Sequence, residues 1–217
     1  MSDKRLVSAK NLKGRQLRPG GKKYFSPSTL TWLRKRKAGV DPASIKPKPA
    51  PLGQRALAYA FSELGTLESG GNNHGREVER IIRANGGTPG EAWCGDFVAY
   101  AYKRAGSKSV TRAWAGVRWL GRLKGMQTLN SVRVAKPGDI LVYDFPGGAP
   151  EDHTGLFVGF TNKDGRRRAP SKATHIRAIE GNTGRDGAVS DSTSGGDGVH
   201  ERVRPIKQVK RAVRVKR

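Results

Sequence analysis

The hydrophobic period of this chain changes once, from helical before residue 130 to alternating after it. That change narrows the fold more than any other feature, because helices and strands bury apolar residues at different spacings. In GQRALAYAFSELG, Leu57, Ala60, Phe61 and Leu64 recur at helical spacing, and Gly65 can stop the helix. In GREVERIIRANGG, Val78, Ile81 and Ile82 share one face before Asn-Gly-Gly ends it. In CGDFVAYAYKRAG, Phe97, Val98, Ala101 and Tyr102 form a stripe and Gly106 is the stop. Beyond residue 130 the candidate strands are Asp139–Phe145, Thr154–Phe160, Thr174–Ile179 and Val199–Ile206, joined by turn-like segments. Helices first and strands later predict an α+β fold, N-terminal helices packed on an antiparallel β-sheet.

Charge divides the chain differently. Residues 1–50 carry a net +12, residues 207–217 a net +6, and the residues between them only +6 of the total +24. The segment SIKPKPAPLG, rich in proline, is predicted to be an extended linker. The expected organisation is a basic N-terminal arm and linker over 1–53, a folded domain over 54–206, and a basic extended tail over 207–217. Short amphipathic structure in the arm is expected only at STLTWLRKRKAG, residues 28–39. Basic ends attract polyanions, whether anionic polymers, anionic membrane surfaces or nucleic acid. A merely solvated charge run is the alternative.

Several classes are excluded by composition. A single cysteine forms no intramolecular disulfide and no multi-cysteine zinc site. No apolar run is long enough for a membrane-spanning helix. The basic N-terminus has no apolar h-region after it, so no secretory signal is expected.

The one cysteine, Cys94, falls at the predicted start of a helix. Free N–H groups and the dipole there favour an anion, which suits a thiolate nucleophile. A small buried hydrophobe is the alternative for a lone cysteine. Such a nucleophile needs a base, and the histidines are His74, His153, His175 and His200. His153 opens an apolar strand directly after a turn, where a side chain can face a cleft while its strand anchors it. Glu180 and Asn182 end the next strand and, two apart, share a face. Either could orient an imidazole at the end of the neighbouring strand.

In order along the chain stand PGEAWCGDFVAYAYKRAG, KPGDILVYDF, DHTGLFVGF and AIEGNTG. Together they resemble the CHAP domain, the cysteine- and histidine-dependent amidohydrolase/peptidase family of wall hydrolases. The resemblance covers roughly residues 54–206. It implies a papain-like fold and cleavage of an amide bond of bacterial peptidoglycan. Cys94 would be the nucleophile, His153 the base and acid, Glu180 its orienter, and Asn182 an assistant in the polar network. Asp139 and Asp152 match motif positions and are read as shaping turns. Trp93 has two readings, a wall of the substrate groove or core packing.

No cofactor and no metal are expected. The loop TLESGGNNHG offers one carboxylate, Glu68, and Asp186, Asp191 and Asp197 lack calcium-loop spacing. The expected setting is a phage-type endolysin, monomeric, made in the host bacterial cytoplasm and acting on the wall after lysis. A virion- or tail-associated lysin with the same chemistry is the nearest alternative. A non-catalytic, basic nucleic-acid-binding protein with a CHAP-like core is the other. The specificity loops are expected at 107–135 and 181–198.

Overall fold

The computed structural model describes residues 49–110, 120–122, 124–145, 151–184 and 196–216. The helix expected at 28–39, and parts of both expected specificity loops with Asp186 and Asp191, lie outside the described residues. The chain divides into the units Met1–Ala50 and Pro51–Arg217, and the elements described all belong to the second.

Three α-helices precede the sheet: α1 over Leu52–Ser62, α2 over Arg76–Ala84 and α3 over Cys94–Arg104. α1 buries Leu52, Ala56, Leu57 and Ala60, an i, i+4, i+5, i+8 stripe. It ends two residues earlier than the apolar pattern suggested, and Leu64 is exposed. α2 buries Val78, Ile81 and Ile82 as expected. α3 differs from its expected one-sided stripe, because every residue from Cys94 to Tyr102 is buried. It is the central helix, packed against α1, α2 and the sheet strands β3 and β4, which span His153–Thr161 and His175–Thr183. Fully burying Phe97, Val98 and Tyr102 stabilises that position by about 1.5–3 kcal/mol per side chain.

The remaining strands are β1 over Met126–Thr128, β2 over Ile140–Tyr143, β5 over Gly198–Pro205 and β6 over Val209–Val215. The sheet order is β1-β6-β2-β3-β4-β5, and each neighbouring pair is antiparallel. The class is therefore mixed α+β with a six-stranded antiparallel sheet. Both faces of the sheet are buried at its centre. Ile140, Val142, Leu156, Ile179 and Val213 join the helices in one core. Their neighbours Leu141, Tyr143, Phe157, Ala178 and Ala212 form a second core on the other face. All four residues of β2 are consequently buried, which hides its alternation in the sequence.

The basic C-terminal segment is not an extended tail. Residues 209–215 form β6, which lies inside the sheet between β1 and β2. The charge count masked a strand that buries Ala212, Val213 and Val215. Its cations are also partly spent: Arg211 pairs with Glu151, and Arg214 Nη2 donates to Asp139 Oδ2 at 2.6 Å. The folded domain thus runs beyond residue 206, and the boundary expected there is corrected.

Asp139 shapes a turn, as read. Its Oδ2 accepts from the Lys136 backbone N–H at 2.7 Å, closing Lys136-Pro137-Gly138-Asp139. Gly138 sits at φ 92°, and a Cβ there would lie 1.9 Å from the Gly53 carbonyl oxygen. Only glycine lets the start of α1 rest on this turn. Tyr102 of α3 donates to the Gly138 carbonyl at 2.6 Å and ties the central helix to the same point.

Candidate active site

Cys94 is the first residue of α3, with Trp93 at the N-cap position. The chain enters the helix without a side-chain cap, and Phe97 N–H bonds the Trp93 carbonyl at 2.9 Å. The first-turn N–H groups, that of Cys94 among them, have no intrahelical acceptor. Cys94 keeps 6% of its surface exposed, and its Sγ lies 4.0 Å from the Asp152 carbonyl oxygen.

Trp93 itself is fully buried, a placement that fits core packing. Its indole Nε1 donates to Glu68 Oε1 at 2.9 Å, and Glu68 Oε2 accepts from Asn73 N–H at 2.8 Å. Glu68, considered above only as a calcium ligand, therefore anchors the residue that precedes the cysteine. Among the described residues no group of three or more His, Cys, Asp or Glu side chains could hold a metal ion.

His153 is the first residue of β3 and faces Tyr143 of β2 directly across the ladder. Its Nε2 lies 2.9 Å from Glu180 Oε2, which leaves Nδ1 for Cys94. The ring lies against the Tyr143–Phe145 pair, with centroids 5.7 and 5.8 Å away. Burial pulls the imidazole pKa down. Hydrogen bonding and charge from Cys94 and Glu180 outweigh burial and raise it to about 9. Of the four histidines only His153 adjoins the cysteine. His74 bonds Glu79 at 3.2 Å, His175 bonds Thr174 at 2.8 Å, and His200 bonds Asp197 at 2.6 Å.

Glu180 is fully buried on β4. Burial pushes its carboxyl up, but the Arg204 charge and the His153 hydrogen bond hold it well below the usual carboxylate range. Two glycines make the fit. A Cβ on Gly155 would sit 2.6 Å from Glu180 Cγ, so β3 leaves room there for the carboxylate. A Cβ on Gly181 would sit 2.6 Å from Phe97 Cβ and 2.8 Å from Trp93 Cζ3, so α3 can approach β4 only over a glycine. The pairing of β4 with β5 shifts between Glu180 and Thr183, a bulge that bends the strand beside the site.

Asn182 lies in that bulge at φ 54°, a left-handed conformation that asparagine tolerates. It is buried, yet its side chain makes no hydrogen bond to His153 or Cys94 among the described residues. The structure thus brings Cys94, His153 and Glu180 together, with Asn182 two residues beyond Glu180 on β4.

Arg204 of β5 escaped the sequence reading. Its Nε donates to both Glu180 oxygens at 2.8 and 3.0 Å, and its Nη2 donates to Oε2 at 2.6 Å and to Thr183 Oγ1 at 3.3 Å. The signal was present in Val199–Pro205. Arg202 and Arg204 occupy buried positions of β5, and arginine at a core-facing strand position demands a buried partner.

No protein-family model matches this chain, and no curated protein matches it.

Proposed function

We propose that this chain is a peptidoglycan hydrolase that cleaves an amide bond by cysteine nucleophilic catalysis, on a papain-like CHAP fold. The observation that carries the proposal is the His153 imidazole, bonded through Nε2 to Glu180 at 2.9 Å and next to Cys94 at a helix N-terminus. The wall as substrate rests on the order of the four sequence motifs.

In the mechanism, Cys94 attacks the amide carbonyl as a thiolate beside imidazolium His153. A C–S bond forms and the carbonyl π pair moves to oxygen. The oxyanion is held by backbone N–H groups at the start of α3, that of Cys94 included. Collapse breaks the C–N bond, and His153 Nδ1 gives its proton to the leaving amine. A water then attacks the thioester with neutral His153 as base. The second product is a carboxylic acid, and Cys94 and imidazolium His153 are restored. Glu180 fixes the ring through Nε2–H throughout.

The proposed setting is that of an endolysin: made in a host cytoplasm, then acting on the wall. The test is loss of turbidity of purified bacterial cell walls with the wild type and Cys94→Ala. Clearing by the wild type and none above background by Cys94→Ala is the expected result. Equal clearing by both, or by neither across pH and salt, ends the cysteine hydrolase reading. Mass analysis of the released fragments, with new amino termini assigned, identifies the amide cut.

A further inference from the structure

Glu180 must serve His153 in two protonation states. Beside imidazolium the buried carboxylate has a counter-charge. After His153 passes its Nδ1 proton to the leaving amine, the ring is neutral and that counter-charge is gone. An isolated buried carboxylate is strongly unfavourable and responds by turning away or taking up a proton. Either response would release the ring from its orientation.

Arg204 supplies what is missing. It cannot deprotonate, so its charge is present at every stage. Its fork engages both Glu180 oxygens, with Nη2 at 2.6 Å from Oε2, the same oxygen that meets His153 Nε2 at 2.9 Å. The guanidinium is itself clamped: its carbon lies 5.3 Å from the Tyr143 ring centre and 4.8 Å from that of Phe145. Those two rings also pack against His153, Tyr143 stacked and Phe145 tilted. Arginine and histidine therefore share one aromatic bed and one carboxylate oxygen. Lysine has neither the planar fork nor the flat face for such a place. Among the described residues, the ionisable or charged groups facing this cluster are Cys94 of α3, Tyr143 of β2, Asp152 and His153 at the start of β3, Glu180 of β4 and Arg202 of β5.

We propose that Arg204 is a positioning residue, which holds the Glu180 carboxylate in place so that His153 keeps one orientation in both of its protonation states. The inference rests on the hydrolase reading for its consequence in catalysis, but not for the coupling itself. Through the catalytic cycle Glu180 stays deprotonated, His153 keeps its Nε2–H, and only Nδ1 exchanges a proton.

The experiment compares the full-length wild type, Arg204→Met and Arg204→Lys by two readouts. One is the pH profile of wall clearing. The other is titration of His153 followed by NMR of imidazole-labelled protein, with no substrate present. In Arg204→Met, removing a nearby cation is expected to move the His153 titration upward by about one pH unit. Clearing is expected to fall about 10–100-fold, the size of loss seen when the partner behind a metal-ligating side chain is removed. Arg204→Lys is expected to titrate near the wild type yet clear slowly, because charge is kept and the fork is lost. An Arg204→Met protein whose His153 titrates like the wild type overturns the proposal, whatever its clearing rate. So does clearing by Arg204→Met within twofold of the wild type. Should Arg204→Met fail to fold by circular dichroism, Arg204→Lys decides, and a wild-type clearing rate there overturns the proposal. If Cys94→Ala clears walls as well as the wild type, the hydrolase reading fails alone, and the titration still decides the coupling of Arg204, Glu180 and His153.

Discussion

Cys94 and Glu180 flank the same imidazole, and they reach it by different routes. Cys94 is placed as the first residue of one helix, whose N-cap tryptophan is tied to Glu68 and which packs over Gly181. Glu180 is placed by long-range pairing, with His153 and Arg204, 27 and 24 residues away in sequence, closing on it from β3 and β5. The nucleophile side is a thiol at the edge of an apolar core. The orienting side is a buried ion network on an aromatic bed. A mutation of Cys94 itself should remove chemistry and spare the fold. A mutation on the orienting side should damage both.

The sharpest break of that comparison is Glu180→Ala against Cys94→Ala. Removing Glu180 strands Arg204, 2% exposed, without its carboxylate. Deleting one partner of a buried pair costs about 3–5 kcal/mol. Cys94→Ala deletes one small atom from a helix start and should cost about 1 kcal/mol or less. Chemical denaturation of both variants checks this. Equal losses would show that the orienting side carries no special strain.

pH separates the two sides next. The folded His153 pKa is raised from 6.5 to about 9. Its contribution to stability is therefore complete below pH 6.5 and disappears as pH rises through 9. The full amount is about 3 kcal/mol. Glu180 has the opposite sign. Its folded pKa is depressed below 4.5, so its contribution is present above that pH and is lost on acidification. Stability should thus peak between about pH 4.5 and 6.5 for this pair, and wall clearing should decline on the alkaline side with an apparent pKa near 9. Denaturation midpoints from pH 4 to 10 measure the first, and a pH–rate profile the second. In Glu180→Gln the alkaline loss of stability should shrink.

The nucleophile side was legible in the sequence because its determinants are contiguous. The helical period, the stop at Gly106 and the cysteine at the helix start all lie within Trp93–Gly106. His153 and Glu180 were legible as strand ends. Their pairing was not, because strand order is set by partners remote in sequence, and β6 enters between β1 and β2 from the far end of the chain. Arg204 was hidden for a related reason. In a chain of net charge +24, one more arginine carries little information until the fold brings its side chain, paired in register with Ile176, diagonally onto the buried Glu180 carboxylate. Asn182 shows a different limit: its spacing from Glu180 promised a shared face, and the register shift between Glu180 and Thr183 interrupts that alternation.

Two glycines give a finer test, one on each side. Gly155→Ala would drive a methyl to 2.6 Å from Glu180 Cγ and 3.0 Å from the Ile179 carbonyl. Gly181→Ala would drive one between Phe97 and Trp93. Each is overpacking in a closed site and should cost about 1–3 kcal/mol. Their chemical consequences should differ. Gly155→Ala displaces the carboxylate and should shift the His153 titration. Gly181→Ala lifts α3 and should slow clearing with the Glu180–His153 contact intact. Thermal denaturation with NMR titration of His153 distinguishes them.

Trp93→Phe is the perturbation most specific to the nucleophile side. It keeps an aromatic ring in the core, deletes Nε1–H, whose acceptor is Glu68 Oε1 at 2.9 Å, and leaves a small cavity where the second ring of the indole was. Glu68 retains the Asn73 N–H on its other oxygen, so the polar part of the loss is one charge-assisted hydrogen bond, about 1.5–3 kcal/mol. Because Trp93 is the N-cap residue of α3, slack there passes directly to Cys94. The expected outcome is a modest fall in melting temperature, a reduced clearing rate and an unchanged His153 titration. A shifted titration would mean that the two sides of the imidazole are not separately held, and the distinction between a nucleophile carried by a helix start and an orienting network assembled across strands would fail.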